Sequence, residues 1–327
     1  MPDLRVRLGT LTLDNPVLTA AGTLGYGPEF AGAVRLKRLG AVITKTLTRR
    51  PREGNPPPRL VETPSGMLNA VGLQNIGLEA FLQEKLPALQ QHRVPVIVSV
   101  LGESAEELAE MVAQLDRADG VAAIELNLSC PNIKRGAECG MRNAESKADQ
   151  PRTPNSALQI PKMVAQDADA TRAMVQAARR HTGKPLIAKL SPDVTDLVPI
   201  AQAAEQAGAT ALSIGNTFVG MSLDAATRRS RLGTMTGGLS GPAIRPLAVY
   251  RVWYTARFVR APIIGLGGIV RAEDAVEFFL GGASAVAVGT ANFADPRAPL
   301  RVLQGLERYL RRHRIGSLDE LRGAIHQ

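Results

Sequence analysis

The chain has 327 residues, 45% of them apolar and only 4% aromatic, with a formal charge of +9, a composition that fits a globular protein of one large domain or two ordinary ones. Two cysteines and four histidines exclude a disulfide framework, a four-thiolate metal or iron–sulfur site and a zinc-type cluster. No apolar run approaches the ~18 residues of a membrane span, and the opening MPDLRVRLGTLTLDNP lacks the charged-then-apolar order of a signal peptide, so a cytoplasmic protein is expected.

In chain order, eight short apolar runs read as strands: PVLTA (16–20), AVITK (41–45), PVIVSV (95–100), AAIELNL (122–128), PLIAKL (185–190), ALSIG (211–215), PIIGLG (262–267) and AVAVG (285–289). Helical spacing follows most of them, at 104–118, 168–182, 194–207, 243–260, 271–281 and 297–312. Ser104 with Glu107 three places on has the spacing of a capping box, and SPDVTDL (191–197) places capping residues at another helix start. Eight strand–helix units in one domain predict a (β/α)₈ barrel in preference to a doubly wound sheet. The connections 46–80, 129–167 and 216–242 are too long for simple loops and are expected to build a site or a lid. A polar, proline-interrupted insertion at about 136–165 reads equally as a substrate lid and as a segment without a role.

The arginines lie in separate groups, TRRPR (48–52), TRRSR (227–231) and RRHR (311–314). Sparse aromatics leave no base-stacking platform, so a solvated basic surface is favoured over nucleic-acid binding.

A barrel of this kind collects its chemistry at the carboxyl ends of the strands. Found there are Lys45, Ser99, Asn127, Cys130, Lys189, Asn216, Thr217, Gly267, Gly268, Gly289 and Thr290. One lysine at a strand end can snorkel to solvent. Two at one rim favour an anionic ligand, because a buried ammonium is costly without an anion or strong acceptor. The glycines after the seventh and eighth strands expose backbone N–H groups where such barrels bind phosphate. Glycine pairs also serve close packing. A phosphate-bearing, anionic ring met by a lysine suggests reduced flavin. Asn69, Asn127, Asn132 and Asn216 suit a ring edge that alternates N–H and C=O, although each could equally serve a turn. Cys130 is a usable base if a nearby donor or cation lowers its pKa, and otherwise an inert buried thiol. Cys139 reads as incidental.

The motifs LSCPN (128–132), SGMLNAVGLQNIGLE (65–79), GGLSGPAIRPLA (237–248), PIIGLGGI (262–269) and GASAVAVGTANF (282–293) resemble the class 1 dihydroorotate dehydrogenases, most of all the B-type catalytic subunits. The resemblance runs over nearly the whole chain except 136–165. It implies a cytoplasmic FMN enzyme oxidising dihydroorotate to orotate, with Cys130 as the base at C5 and hydride passing from C6 to the flavin. By motif, Lys45, Asn69, Ala70, Val71, Gly72, Leu73, Asn127, Asn132, Asn216 and Thr217 would hold the substrate. Ala21, Gly22, Lys45, Thr46, Ser99, Asn127, Lys189, Gly215, Gly241, Gly267, Gly268, Gly289 and Thr290 would hold FMN. No metal is expected. B-type members work with a second subunit carrying FAD and a [2Fe–2S] cluster, so a homodimer within a heterotetramer is implied, without membrane or nucleic-acid partners. Ala21, Ser99 and Gly215 depart from residues common in relatives, each trimming a flavin contact. The insertion departs where relatives close a loop over substrate. Two other readings fit the same residues: a flavin reductase of uracil-like rings or tRNA uridines, and a catalytically silent flavin-binding barrel.

Overall fold

The computed structural model describes residues 2–129 and 164–325. Cys130, Asn132, Cys139 and the 136–165 insertion up to residue 163 therefore lie outside the described residues.

Eight parallel strands close into a barrel: β1 (Val17–Thr19), β2 (Ala41–Ile43), β3 (Val96–Val100), β4 (Val121–Asn127), β5 (Leu186–Leu190), β6 (Ala211–Ile214), β7 (Ile263–Leu266) and β8 (Ala285–Val288). They pair in sequence order, and β8 returns to β1 through Val286 opposite Val17. β3, β5, β6, β7 and β8 are buried along their whole length. Parallel strands covered on both faces need such continuous apolar runs, which is why the period-two alternation of an exposed sheet is missing here. The barrel agrees with the sequence expectation.

The outer layer follows from helical spacing. α1 runs over 78–90 with a π-helical turn at Phe81–Lys85, and its existence was not read from the sequence. α2 (Ala105–Arg117) buries Leu108, Met111, Val112 and Leu115, one stripe at intervals of three and four. Ser104 accepts from the Glu107 N–H at 3.2 Å, while the Glu107 carboxylate is met by the N–H of Glu103, so the reciprocal half of the cap sits one residue earlier than expected. α3 (Ala168–Arg179), α4 (Val198–Gln206), α5 (Arg245–Ala256), α6 (Ala272–Leu280) and α7 (Ala298–Arg312) complete the ring. Of the SPDVTDL stretch, Asp196 accepts from the Val198 N–H at 3.0 Å at the start of α4, while Ser191 and Asp193 hold the loop before it. Between β1 and β2 the crossover is reduced to two short 3₁₀ turns, Pro28–Phe30 and Leu36–Arg38.

The two mouths of the barrel differ. An antiparallel hairpin, Val6–Leu8 with Leu11–Leu13, lies at the amino-terminal mouth. Its Leu8 and Leu13 are fully buried, and the Gly9 turn packs against Thr210, just before β6. At the opposite mouth the long connections after β2 and β6 meet in one four-stranded antiparallel sheet, ordered Phe218–Gly220, Gly237–Ser240, Gly66–Asn69 and Leu60–Thr63. Two of the three excursions expected to build a site are thus a single structure over the carboxyl-terminal rim.

Candidate active site

The inward positions at the rim carry polar side chains in place of the aliphatic residues below them. Glu125, Asn127, Lys189, Ser213 and Ser99 occupy matching register positions on β4, β5, β6 and β3: Ser99 lies opposite Glu125, Asn127 opposite Lys189, and Lys189 opposite Ser213. Each is less than a tenth exposed. Alternation along a strand sends residues two apart to the same face, so Glu125 and Asn127 share one side of β4.

These groups form a continuous chain of hydrogen bonds. Asn216 donates to the Ser129 hydroxyl. Ser129 donates to Asn127 Oδ1 at 2.9 Å, and Asn127 Nδ2 donates to Thr46 Oγ1 at 3.1 Å. Thr46 Oγ1 is 3.0 Å from Ser99 Oγ, which donates to Glu125 Oε1 at 2.9 Å. The loops after β2, β4 and β6 are thereby tied to β3. Of the four asparagines singled out in the sequence, Asn127 and Asn216 belong to this chain.

Lys189 is 5% exposed and has no hydrogen-bond or ion-pair partner among the described residues. Beside it in register, the Ser213 hydroxyl is buried and also without a partner. Leaving such groups unmatched is costly in a folded chain, and a cluster of them at the mouth of a barrel marks a place where a ligand completes the bonding. Lys45 approaches from the next loop: its side chain lies against the α-carbon of Gly22, where an added Cβ would come within 3.2 Å of Nζ.

The glycines shape the other half of the rim. Gly267 and Gly268 have φ of 134° and 72°, values open to glycine and costly for other residues. A Cβ on Gly268 would sit 2.8 Å from the Gly241 carbonyl, and one on Gly241 would sit 2.7 Å from the Gly66 α-carbon. The loop carrying Gly267 and Gly268 is held by Asp274, which accepts from the N–H groups of Val270 and Arg271 at 2.9 Å each and pairs with Arg245. Gly289 and Thr290 follow β8 directly, and Asn292 in the next turn anchors that segment by donating to Thr23 Oγ1 and to the Val288 carbonyl. Ala21, Gly22 and Gly215 occupy the ends of β1 and β6 on the same rim.

The antiparallel sheet contributes the remaining expected residues. Asn69 ends its strand and Thr217 precedes the strand of Phe218–Gly220. The backbone of 70–73 turns sharply, with Gly72 at φ 73° and Leu73 at φ 59°. Leu73 is not a glycine, and a left-handed leucine persists only where its surroundings hold it. Asn75 does so, donating to the Leu73 carbonyl at 2.7 Å and to Thr48 Oγ1 at 2.9 Å. Asp193, after β5, accepts from the Val219 N–H at 3.1 Å and braces the far strand of the sheet. Burial pushes its carboxyl above the ordinary aspartate value, against the opposing pull of that N–H and of Arg251.

Sequence reasoning missed Glu125, Ser129, Asn75 and Asp193. For Glu125 the signal was available: an acidic residue in the middle of the apolar run AAIELNL. Among the described residues no cluster of His, Cys, Asp and Glu could hold a metal, and no helix is long and apolar enough to cross a membrane.

Fold and rim together define a (β/α)₈-barrel enzyme with a polar, lysine-bearing site at the carboxyl-terminal mouth. The family model described as dihydroorotate dehydrogenase matches residues 3–310. Over 324 residues, 99% of this chain, the sequence is 48% identical to a protein of Geotalea uraniireducens, covering 98% of that protein, and 48% identical to one of Pelobacter propionicus, covering 99%. It is 47% identical to one of Geobacter sulfurreducens over the same length. All three are named as the catalytic subunit of dihydroorotate dehydrogenase B (NAD(+)). The chain belongs to the dihydroorotate dehydrogenase family.

Proposed function

We propose that this protein oxidises (S)-dihydroorotate to orotate in pyrimidine biosynthesis, with FMN resident at the rim, and that its electrons pass to a partner subunit that reduces NAD⁺. The single observation that carries the reading is the buried Lys189 ammonium, without a partner among the described residues, set beside the likewise unpartnered Ser213 hydroxyl and facing a rim of asparagines and glycines. That donor set fits a ring with a negative edge and a phosphate tail, and the family and the names of the relatives supply the substrate.

The reaction removes a proton from C5 and a hydride from C6 of the substrate ring. FMN, when bound, supplies the acceptor for that hydride. Cys130 takes the C5 proton on its sulfur as a thiolate. Asn69, Asn127, Asn132, Asn216 and Thr217 match the alternating N–H and C=O groups of the substrate, fixing which ring face meets the cysteine. Lys45 and the backbone N–H groups of 70–73 receive its carboxylate, the group that separates this substrate from uracil-like rings. Lys189 sets a positive charge against the cofactor's anionic edge. Gly241, Gly267, Gly268, Gly289 and Thr290 take the phosphate, with Ala21, Gly22, Thr46, Ser99 and Gly215 lining the ring.

With two cysteines the chain cannot itself ligate a [2Fe–2S] cluster through four thiolates. We assign that cluster and an FAD to the partner, in a heterotetramer built on a homodimer of this chain. The test is anaerobic stopped-flow mixing of the FMN-loaded protein with dihydroorotate: the visible flavin band bleaches and orotate forms in equal amount. A flavin-loaded protein that does not bleach overturns the reading.

A further inference from the structure

Among the described residues, Glu125 is a buried charged group on a barrel strand that the chemistry above does not use. Its carboxylate is 1% exposed, in a strand otherwise lined by Val, Ala, Ile and Leu up to Asn127. Burying a carboxylate is expensive, and one accepting hydroxyl bond does not offset the loss of water. What the carboxylate contributes follows from the direction of the bonds that end on it. Ser99 has one hydroxyl proton, and it goes to Glu125 Oε1. Ser99 Oγ can then only accept from Thr46 Oγ1, 3.0 Å away. With the Thr46 proton so committed, Thr46 accepts from Asn127 Nδ2, and Asn127 Oδ1 accepts from Ser129, which accepts from Asn216. Every donor in the chain points toward Glu125, across strands β3 and β4 and the loops after β2, β4 and β6.

We infer that Glu125 is a positioning residue: as the terminal acceptor it fixes the proton direction of the whole Asn216–Ser129–Asn127–Thr46–Ser99 chain, and its charge would lower the reduction potential of FMN held by the rim residues. Two consequences are separate. First, the hydroxyls of Thr46 and Ser99 have no proton left to offer, so toward the site Thr46 presents a lone pair and only Asn127 and Asn216 present N–H groups. Polar networks in a low-dielectric interior are cooperative, so releasing the terminal acceptor disturbs the orientation of the far members. Second, a buried negative charge opposes the anionic reduced cofactor, in counterbalance to Lys189 on the neighbouring strand.

The inference rests on FMN being the resident group, and two variants with two readouts separate it from that reading. Glu125→Gln keeps an oxygen for Ser99 to bond and removes the charge. Ser99→Ala keeps the charge and cuts the chain. Apoprotein is titrated with FMN, and the midpoint potential of the loaded protein is measured against redox dyes. Glu125→Gln is expected to bind FMN within about threefold of wild type, since one acceptor replaces another, and to move the midpoint potential to more positive values. Ser99→Ala is expected to weaken FMN about tenfold, the loss of one well-placed hydrogen bond, while leaving the potential near wild type. An unchanged potential in Glu125→Gln overturns the electrostatic role, and unchanged FMN affinity in Ser99→Ala overturns the directional one. Should Glu125→Gln not fold, Ser99→Ala decides the directional role alone, and Glu125→Asp, which retains the charge, is expected to hold the wild-type potential; a positive shift there overturns the electrostatic role. Failure of wild-type protein to take up FMN would instead overturn the proposed function.

Discussion

Asn69 Nδ2 donates to the Gly238 carbonyl at 3.2 Å, and the same two residues are paired in register across adjacent strands. One belongs to the excursion after β2 and the other to the excursion after β6. Gly238 also admits Thr217 closely: a Cβ there would lie 2.0 Å from Thr217 Oγ1. Asn69 and Thr217, both assigned to the substrate, are therefore placed by the same stretch of glycine backbone.

Asn69→Ala should weaken orotate binding at least about tenfold, because a half-buried amide that pairs with a ligand is worth at least one good hydrogen bond. The barrel strands are untouched, so the melting temperature should move by no more than a few degrees. Spectral titration of the bound flavin with orotate reads the first quantity and a thermal melt the second. Equal orotate affinity in variant and wild type would remove Asn69 from the substrate site.

Cys130→Ser should slow flavin reduction by dihydroorotate at least ~100-fold at neutral pH, since a positioned base contributes about 10²–10⁴ and a serine hydroxyl is a far weaker acid than a thiol. The variant's rate should recover in part as pH rises. A rate equal to wild type in single-turnover mixing reassigns the base.

Lys189→Met should separate stability from binding. The buried ammonium lacks a partner among the described residues, so replacing it with an apolar side chain of similar length should leave the apoprotein at least as stable as wild type in urea. FMN affinity should fall by about tenfold or more, since charge-assisted contacts are roughly twice as strong as neutral ones. A less stable apoprotein together with unchanged FMN affinity would make Lys189 a structural residue.

Asp193→Asn tests the brace between the β5 loop and the rim sheet. Burial raises the folded-state pKa of Asp193 above the ordinary aspartate value of 3.8. In that case the folded chain holds a proton at pH values where the unfolded chain has released it, so this group's contribution falls as pH rises from about 3.8 through the raised value. Asparagine keeps an oxygen for the Val219 N–H and has no charge to bury. Its urea midpoint should exceed wild type at pH 7, with the gap closing as pH approaches 3.8. A gap that does not change with pH would mean that the titration of Asp193 is not its source.

The barrel was legible because its strands are short, apolar and followed by helical spacing. PVIVSV and PLIAKL each mapped onto a strand within a residue or two. α1 was not legible: the run before it, GLQNIGLEAFLQEKLPALQ, has a glycine at its start, a proline inside and a π-turn that shifts the apolar phase. The rim sheet was not legible either, since its two central strands join residues 169 apart in the chain and its strands are only partly buried. Lys45, Asn127, Lys189 and Asn216 could be named from their addresses at strand ends. Glu125 stands out in the sequence as an acid inside an apolar run, but its role could not be read there, because it lies in where its neighbours' protons point, and that depends on register between β3 and β4.

The rim sheet also bears on how the molecule acquires its site. Its central strands, Gly66–Asn69 and Gly237–Ser240, come from excursions that cannot meet until β2 and β6 are already held in the closed barrel. Loop closure over such separations is slow and comes at an entropic disadvantage. The sheet is therefore expected to form late and to open early, as a unit whose amides exchange with solvent while those of β3 and β5 remain protected. A chain that has lost only this unit would keep its barrel and its circular dichroism and still be unable to hold substrate, so native-like spectra alone are no measure of how much of a preparation is active.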